Sequence, residues 1–151
     1  MDPGNSTIHA TAVLTGAKAT LIRGPTGSGK SQLAWSLIKA GENGFLTFAR
    51  LIADDRTLLE NRSGRLLVRP ARELAGMIEI RGLGIQWVEF EPVAVVGIVV
   101  DLDAGDAARL PEKEASNAVI SGVRLPRLAV APGTAPLPLV LAALRTPPVD
   151  D

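Results

Sequence analysis

Gly24-Pro25-Thr26-Gly27-Ser28-Gly29-Lys30-Ser31 fits G-x-x-x-x-G-K-[ST], a spacing suited to holding a polyphosphate. Such an anion needs several donors converging on it without steric obstruction. Gly24, Gly27 and Gly29 let the backbone turn tightly and bring its N–H groups close to phosphate oxygens. Lys30 adds a point charge that reaches the β- and γ-phosphates, and Ser31 offers a hydroxyl to Mg²⁺. A second chemical stretch follows where the apolar Leu51-Ile52-Ala53 runs into Asp54-Asp55. A strand ending in carboxylates fixes them at a sheet edge, where they can meet a metal ion and an attacking nucleophile. Taken alone, Asp54-Asp55-Arg56 also reads as a solvated turn; the phosphate loop upstream favours the functional reading. A third stretch, Glu79-Ile80-Arg81-Gly82-Leu83-Gly84-Ile85, sets two glycines beside a carboxylate and a guanidinium. That composition fits a tight loop near a ligand and, equally, a β-bulge.

The loop matters only between a strand and a helix, and its flanks supply both. Ala19 to Arg23 reads as a short apolar strand. Leu33, Ala34, Leu37 and Ile38 recur at helical spacing over about Lys30 to Ala40, with Gly41 where a C-terminal cap belongs. Upstream, residues 1–6 read as a frayed start. Ile8 to Leu14 reads as a strand that turns at Thr15-Gly16. Downstream, Phe45 to Ala53 is strand-like, and residues 57–60 and 65–69 flank Asn61-Arg62-Ser63-Gly64 as a hairpin. Val93 to Leu102 is a continuous, β-branched apolar run, hence a buried central strand. Residues 103–118 read as a loop with one helical turn. Val123 to Ala131 reads as an edge strand because of Pro126. Pro138 to Arg145 reads as a closing helix, and residues 146–151 as a disordered end.

Composition narrows the function classes. The 151 residues suit one domain, spanning the whole chain. Hydrophobic residues make up 46% but aromatics only 3%, so Leu, Val, Ile and Ala must form the core. Sixteen basic residues balance sixteen acidic ones, and the arginines are scattered, which gives no footprint for nucleic acid. Without cysteine, a disulfide framework and a thiolate metal site are both excluded. The longest apolar run is too short to span a bilayer, and the first six residues lack the layout of a secretion signal. The expectation is a cytoplasmic protein without membrane attachment, where ATP is at hand.

With these residues in view, the chain resembles the catalytic domain of the HPr kinase/phosphorylase family, bacterial enzymes that phosphorylate a serine of the phosphocarrier protein HPr. The resemblance rests on His9 ahead of the loop, GPTGSGKS at 24–31, LIADDR at 51–56 and EIRGLGI at 79–85, in that order. It extends more weakly through Arg109-Leu110 and the 125–133 segment. It implies an α/β P-loop kinase fold of the HPr kinase and PEP carboxykinase-like type, mostly sheet with few helices. It implies Lys30 on the nucleotide phosphates, and Ser31, Glu79 and Asp54 around Mg²⁺. The Asp54-Asp55 pair would include the base that takes the proton from the target serine; Asp55 is favoured, though the sequence leaves both open. The family's upstream histidine maps to His9 and its later arginine to Arg109. Without the family, His9 reads as a packed strand histidine and Arg109 as a solvated charge. An HPr-like partner and a hexamer are implied in the same way.

The chain also departs from the family pattern. Nothing in it corresponds to the N-terminal domain of the longer members, so the expectation is a short, catalytic form. Residues 42–50 are longer than the family's Gly-His turn and lack its histidine. The connection to Arg109 is shorter. Pro132-Gly133-Thr134-Ala135 lacks the arginine of a turn tied to dephosphorylation. The expectation is therefore a kinase with weak or absent phosphorylase activity. Two rivals stand beside it: a P-loop kinase for a small metabolite, and a nucleotide-sensing module without turnover.

Overall fold

Two parallel strands side by side set the frame: β3 (Ala19–Arg23), which feeds the phosphate loop, and β9 (Ala94–Asp101). In the computed structural model, which describes residues 5–149, Ile22 pairs with Val100 and Arg23 with Asp101. The other strands are β1 (Asn5–Ile8), β2 (Thr11–Thr15), β4 (Ala49–Ala53), β5 (Thr57–Arg62), β6 (Arg65–Pro70), β7 (Met77–Ile80), β8 (Gly84–Trp87), β10 (Asn117–Ile120) and β11 (Val123–Ala129). The helices are α1 (Lys30–Glu42) and α2 (Pro136–Arg145). The main sheet runs β1-β5-β6-β9-β3-β2-β4, with β11 parallel to the C-terminal half of β9 and β10 beyond it. β7 and β8 form a separate hairpin. The fold is α/β and mostly sheet, as expected. No helix among the described residues is long and apolar enough to cross a membrane.

Alternation along the central strands divides the core in two. Leu21, Ile52 and Val99 point to one face, where Leu59, Leu66 and Val68 of the β5–β6 leaf fold over them. Their neighbours Ile22, Leu51 and Val100 point to the other, against Leu33, Leu37 and Ile38 of α1 and Val140 of α2. Strands covered on both faces need unbroken apolar runs, which is why β3 and β9 read as they do. Since β2 is antiparallel to both β3 and β4, those two strands run the same way. Their C-terminal ends therefore open on one edge of the sheet, and the phosphate loop and the two aspartates share it.

Several boundaries differ from the sequence reading for identifiable reasons. The first strand breaks at His9-Ala10: the buried Thr57 hydroxyl donates to the Ala10 carbonyl at 2.7 Å, and the chain passes from β1, paired with β5, to β2. Asn5 and Ser6, expected to fray, belong to β1; residues 1–4 and 150–151 lie outside the described residues. The strand expected from Phe45 begins only at Ala49, because residues 43–48 turn back over the end of α1 and leave Phe45 and Phe48 exposed. β10 begins at Asn117, in the last two residues of the stretch read as loop, just after the expected helical turn, a 3₁₀ turn at Glu114–Ser116. It pairs with residues 123–126 of β11, whereas β9 pairs with residues 127–129, so each half of β11 has one partner and Pro126 sits just before the β9 pairing begins at Arg127. α2 starts two residues early, at Pro136.

Gly41 is not the cap of α1 but a residue within it; Asn43 caps the helix, and Gly44 takes the left-handed turn with φ 81°. A Cβ at Gly41 would lie 2.7 Å from Ala49 Cβ and 3.0 Å from its backbone nitrogen. Glycine is what lets α1 lie against the start of β4. Glycine to alanine inside a helix ordinarily stabilises by roughly 0.5–1 kcal/mol. Here Gly41→Ala should instead destabilise by about 1–3 kcal/mol through overpacking, read as a lower Tm; an unchanged or raised Tm would contradict this packing.

Candidate active site

The phosphate loop leaves β3 at Arg23 and enters α1 at Lys30. Gly24 is required by crowding, since a Cβ there would meet Ser28 Oγ at 2.5 Å and Leu102 Cβ at 3.1 Å. Gly29, at φ 97°, takes the left-handed turn that starts α1, and no side chain caps that helix end. The first N–H groups of α1 thus face the cleft uncapped, with no acidic residue in the first turn. Lys30 Nζ rests on the carbonyls of Gly24 at 2.8 Å and Pro25 at 3.2 Å and makes no ion pair among the described residues. Ser28 Oγ is buried without a partner. Uncapped donors, a cation without a counter-ion and an orphaned hydroxyl fit a polyphosphate.

Asp54 ties this loop to the rest of the site. It directly follows β4 and is only 7% exposed. Its Oδ1 accepts from Ser31 Oγ at 2.6 Å and Thr11 Oγ1 at 2.9 Å; its Oδ2 accepts from the backbone N–H of Glu79 at 2.9 Å. One carboxylate therefore holds the start of α1, the start of β2 and the β7 strand. Asp55 does the opposite. With φ 68° it occupies the left-handed region, which an aspartate tolerates better than most residues. The turn throws its carboxylate outward, 74% exposed and 3.9 Å from Nδ1 of the equally open His9.

A cleft of about 460 Å³ collects these groups: Thr26, Gly27, Gly29, Lys30 and Ser31 of the loop line it together with Asp55 and Thr11, and with Glu79 and Arg81 of β7 and its turn. EIRGLGI is the β7–β8 hairpin, paired without a bulge; its tight turn is Arg81, Gly82 and Leu83, with both glycines at positive φ and Arg81, Gly82 and Gly84 on the cleft. Arg109 is exposed on the 103–113 segment, and the structure does not bring it to the cleft wall. Thr11 was not legible as a site residue, because a threonine in a strand carries no chemical signature of its own. Among the described residues no three metal-ligating side chains converge. The Ser31 hydroxyl and the Asp54 and Glu79 carboxylates are oxygen donors that fit Mg²⁺, which is commonly held by one or two carboxylates together with substrate phosphates.

Beneath the loop lies an ion network that sequence spacing did not reveal. Arg23 grips Asp101 with two bonds, Nε to Oδ1 at 2.7 Å and Nη2 to Oδ2 at 2.8 Å. Arg127 binds Asp101 from the other side and reaches Asp106 at 2.8 Å and 3.0 Å. Burial alone would raise the Asp101 carboxyl, but the hydrogen bonds and charges of Arg23 and Arg127 outweigh it and hold the group below its ordinary value. Asp106 is lowered as well, chiefly by its hydrogen bond from Arg127. A depressed carboxyl adds stability above about pH 4, where it is ionised folded or unfolded, and that stability is lost as pH falls through its folded value. Asp101→Asn should cost about 2–3 kcal/mol at pH 7, less than a fully buried pair because Arg23 is partly exposed. In denaturant titrations the gap to wild type should narrow below about pH 4; a gap independent of pH would contradict the network.

Comparison with known proteins follows the same lines. The sequence model of the family described as HPr serine kinase C-terminal domain matches residues 4–130. The HPr kinase/phosphorylase of Clostridium beijerinckii is 37% identical over 78 residues, 52% of this chain and 24% of that protein. The one from Streptococcus thermophilus is 37% identical over 81 residues, 53% of this chain and 24% of that protein. The aligned stretch thus spans about a quarter of the length of the curated relatives it matches. The solved HPr(Ser) kinase/phosphatase of Coxiella burnetii superposes with a TM-score of 0.74 at 22% identity, covering 93% of this chain and 88% of that one. That likeness bears on the fold.

Proposed function

This chain belongs to the HPr serine kinase C-terminal domain family, and on that premise we propose that it is an ATP-dependent protein-serine kinase acting on an HPr-like phosphocarrier. The observation that carries the reading is the 2.6 Å bond from Ser31 Oγ to Asp54 Oδ1, which joins the phosphate loop to the acidic strand end. Through it the open carboxylate of Asp55 lines the same cleft as Lys30.

In this reading the triphosphate lies along the loop, held by backbone N–H groups, the α1 N-terminus and Lys30. Ser31, with Asp54 or Glu79, would hold Mg²⁺, which when bound neutralises charge on the phosphates. Asp55 takes the proton from the acceptor serine as its oxygen bonds to the γ-phosphorus. The bond from that phosphorus to the β–γ bridging oxygen breaks, and ADP leaves. His9, 3.9 Å from Asp55, would orient that carboxylate. Arg109 would contribute only if its segment moved toward the cleft. A cytoplasmic setting and assembly into a homo-oligomer, a hexamer as the family resemblance implies, complete the proposal.

Asp55→Asn should lower transfer of label from ATP to purified carrier by about 10²–10⁴-fold while leaving nucleotide binding intact; undiminished transfer would remove Asp55 from the mechanism. Label appearing on a metabolite, or nucleotide binding with no transfer at all, would favour one of the two rival readings instead.

The reverse reaction is proposed to be weak or absent, because Pro132-Gly133-Thr134-Ala135 brings no guanidinium. Incubation of serine-phosphorylated carrier with inorganic phosphate should release little pyrophosphate. Brisk release would show that the missing arginine is dispensable.

A further inference from the structure

The β7–β8 hairpin has two unlike faces. Its inner face is set by Ile78, fully buried, and Ile80, both packed with the α1 side of the core, where Val88 just past β8 joins them. Directly paired residues share a face, and the pairs Met77–Trp87 and Glu79–Ile85 make up the outer one. Trp87 is 74% exposed and Ile85 63%, with Leu83 in the turn at 70%. These are among the largest apolar exposures in the chain, on a rigid two-stranded ribbon rather than a frayed end.

The position of this face narrows what can sit on it. Glu79, cross-strand from Ile85, lines the cleft, as do Arg81, Gly82 and Gly84 at the tip. The Ile85 end of the apolar face therefore adjoins the cleft that Lys30 and Asp55 line, and Trp87 extends the face two residues away from the tip. A small hydroxylated metabolite held at Asp55 fits within the cleft and has no need of side chains along the outer hairpin. A protein bringing a serine to Asp55 must cover surface on both sides of that serine, and this face leads away from the cleft at Glu79. Exposed aromatic and branched apolar side chains are the kind that anchor protein interfaces.

We propose that Ile85 and Trp87 form the docking ledge for the protein substrate, receiving apolar side chains that flank its acceptor serine. The proposal rests on the protein-kinase reading above and adds to it a specificity surface outside the reacting groups. Its occupant is the substrate protein, not the nucleotide and not a second copy of this chain.

Steady-state transfer from labelled ATP to purified HPr, compared between wild type and Ile85→Ser/Trp87→Ser, tests it. Both side chains are exposed, so the double variant should fold with the Tm of wild type. KM for the carrier should rise at least tenfold, with kcat at saturating carrier and KM for ATP within about twofold of wild type. A short serine peptide lacking apolar flanks should be used equally poorly by both proteins. An unchanged carrier KM overturns the ledge while leaving the kinase reading intact. A rise in KM for ATP instead would assign the face to the nucleoside. Loss of oligomers with no change in carrier KM would assign it to a second copy. Wild type that transfers nothing to HPr would overturn the kinase reading, and the ledge with it.

Discussion

A single buried carboxylate holds the site together. Asp54 accepts from Ser31, Thr11 and the Glu79 N–H, three donors from three separate parts of the chain. Taking such a charge out of water costs several kcal/mol unless it is fully hydrogen-bonded. Any displacement of α1, β2 or β7 leaves that cost uncompensated. The arrangement therefore fixes the distance between the phosphate loop and the acidic strand end more firmly than apolar packing would, since packing tolerates small slides.

Burial of Asp54 leaves its neighbour free for a different role. Two adjacent aspartates share a sequence context, yet one is enclosed by three donors and the other is turned out by a left-handed backbone. The first positions, and the second is open to a substrate. The same division appears on the other wall of the cleft, where the Glu79 N–H serves Asp54 while its side chain faces the open space. Under the loop, Arg23, Asp101 and Arg127 brace β3 against β9, so the strand that delivers Gly24 is pinned at its end.

The parts legible in the sequence are those where chemistry restricts residue type. Crowding at Gly24 and a left-handed backbone at Gly29 both favour glycine, and a continuous apolar run suits a strand buried on both faces. The strand–loop–helix unit and the acidic end of β4 were readable for that reason. What stayed hidden depends on distant partners. Thr11 matters because residue 54 comes to meet it, and Asp101 because Arg23 and Arg127 do. Phe45 and Phe48 misled because β-propensity reflects packing on a sheet surface, and these rings lie exposed in a turn. Gly41 looked like a cap when its actual role is to admit the backbone of Ala49, a contact between elements.

The proposed kinase reading requires that a triphosphate on residues 24–31 present its terminal phosphorus to Asp55 with room for one hydroxyl between them. A crystal structure with a non-hydrolysable ATP analogue and Mg²⁺ measures that directly. The expected result is the γ-phosphorus within about 6 Å of an Asp55 carboxylate oxygen, the span of a hydroxyl that contacts both. A γ-phosphate directed away from β4, with Asp55 well beyond that span, would contradict it.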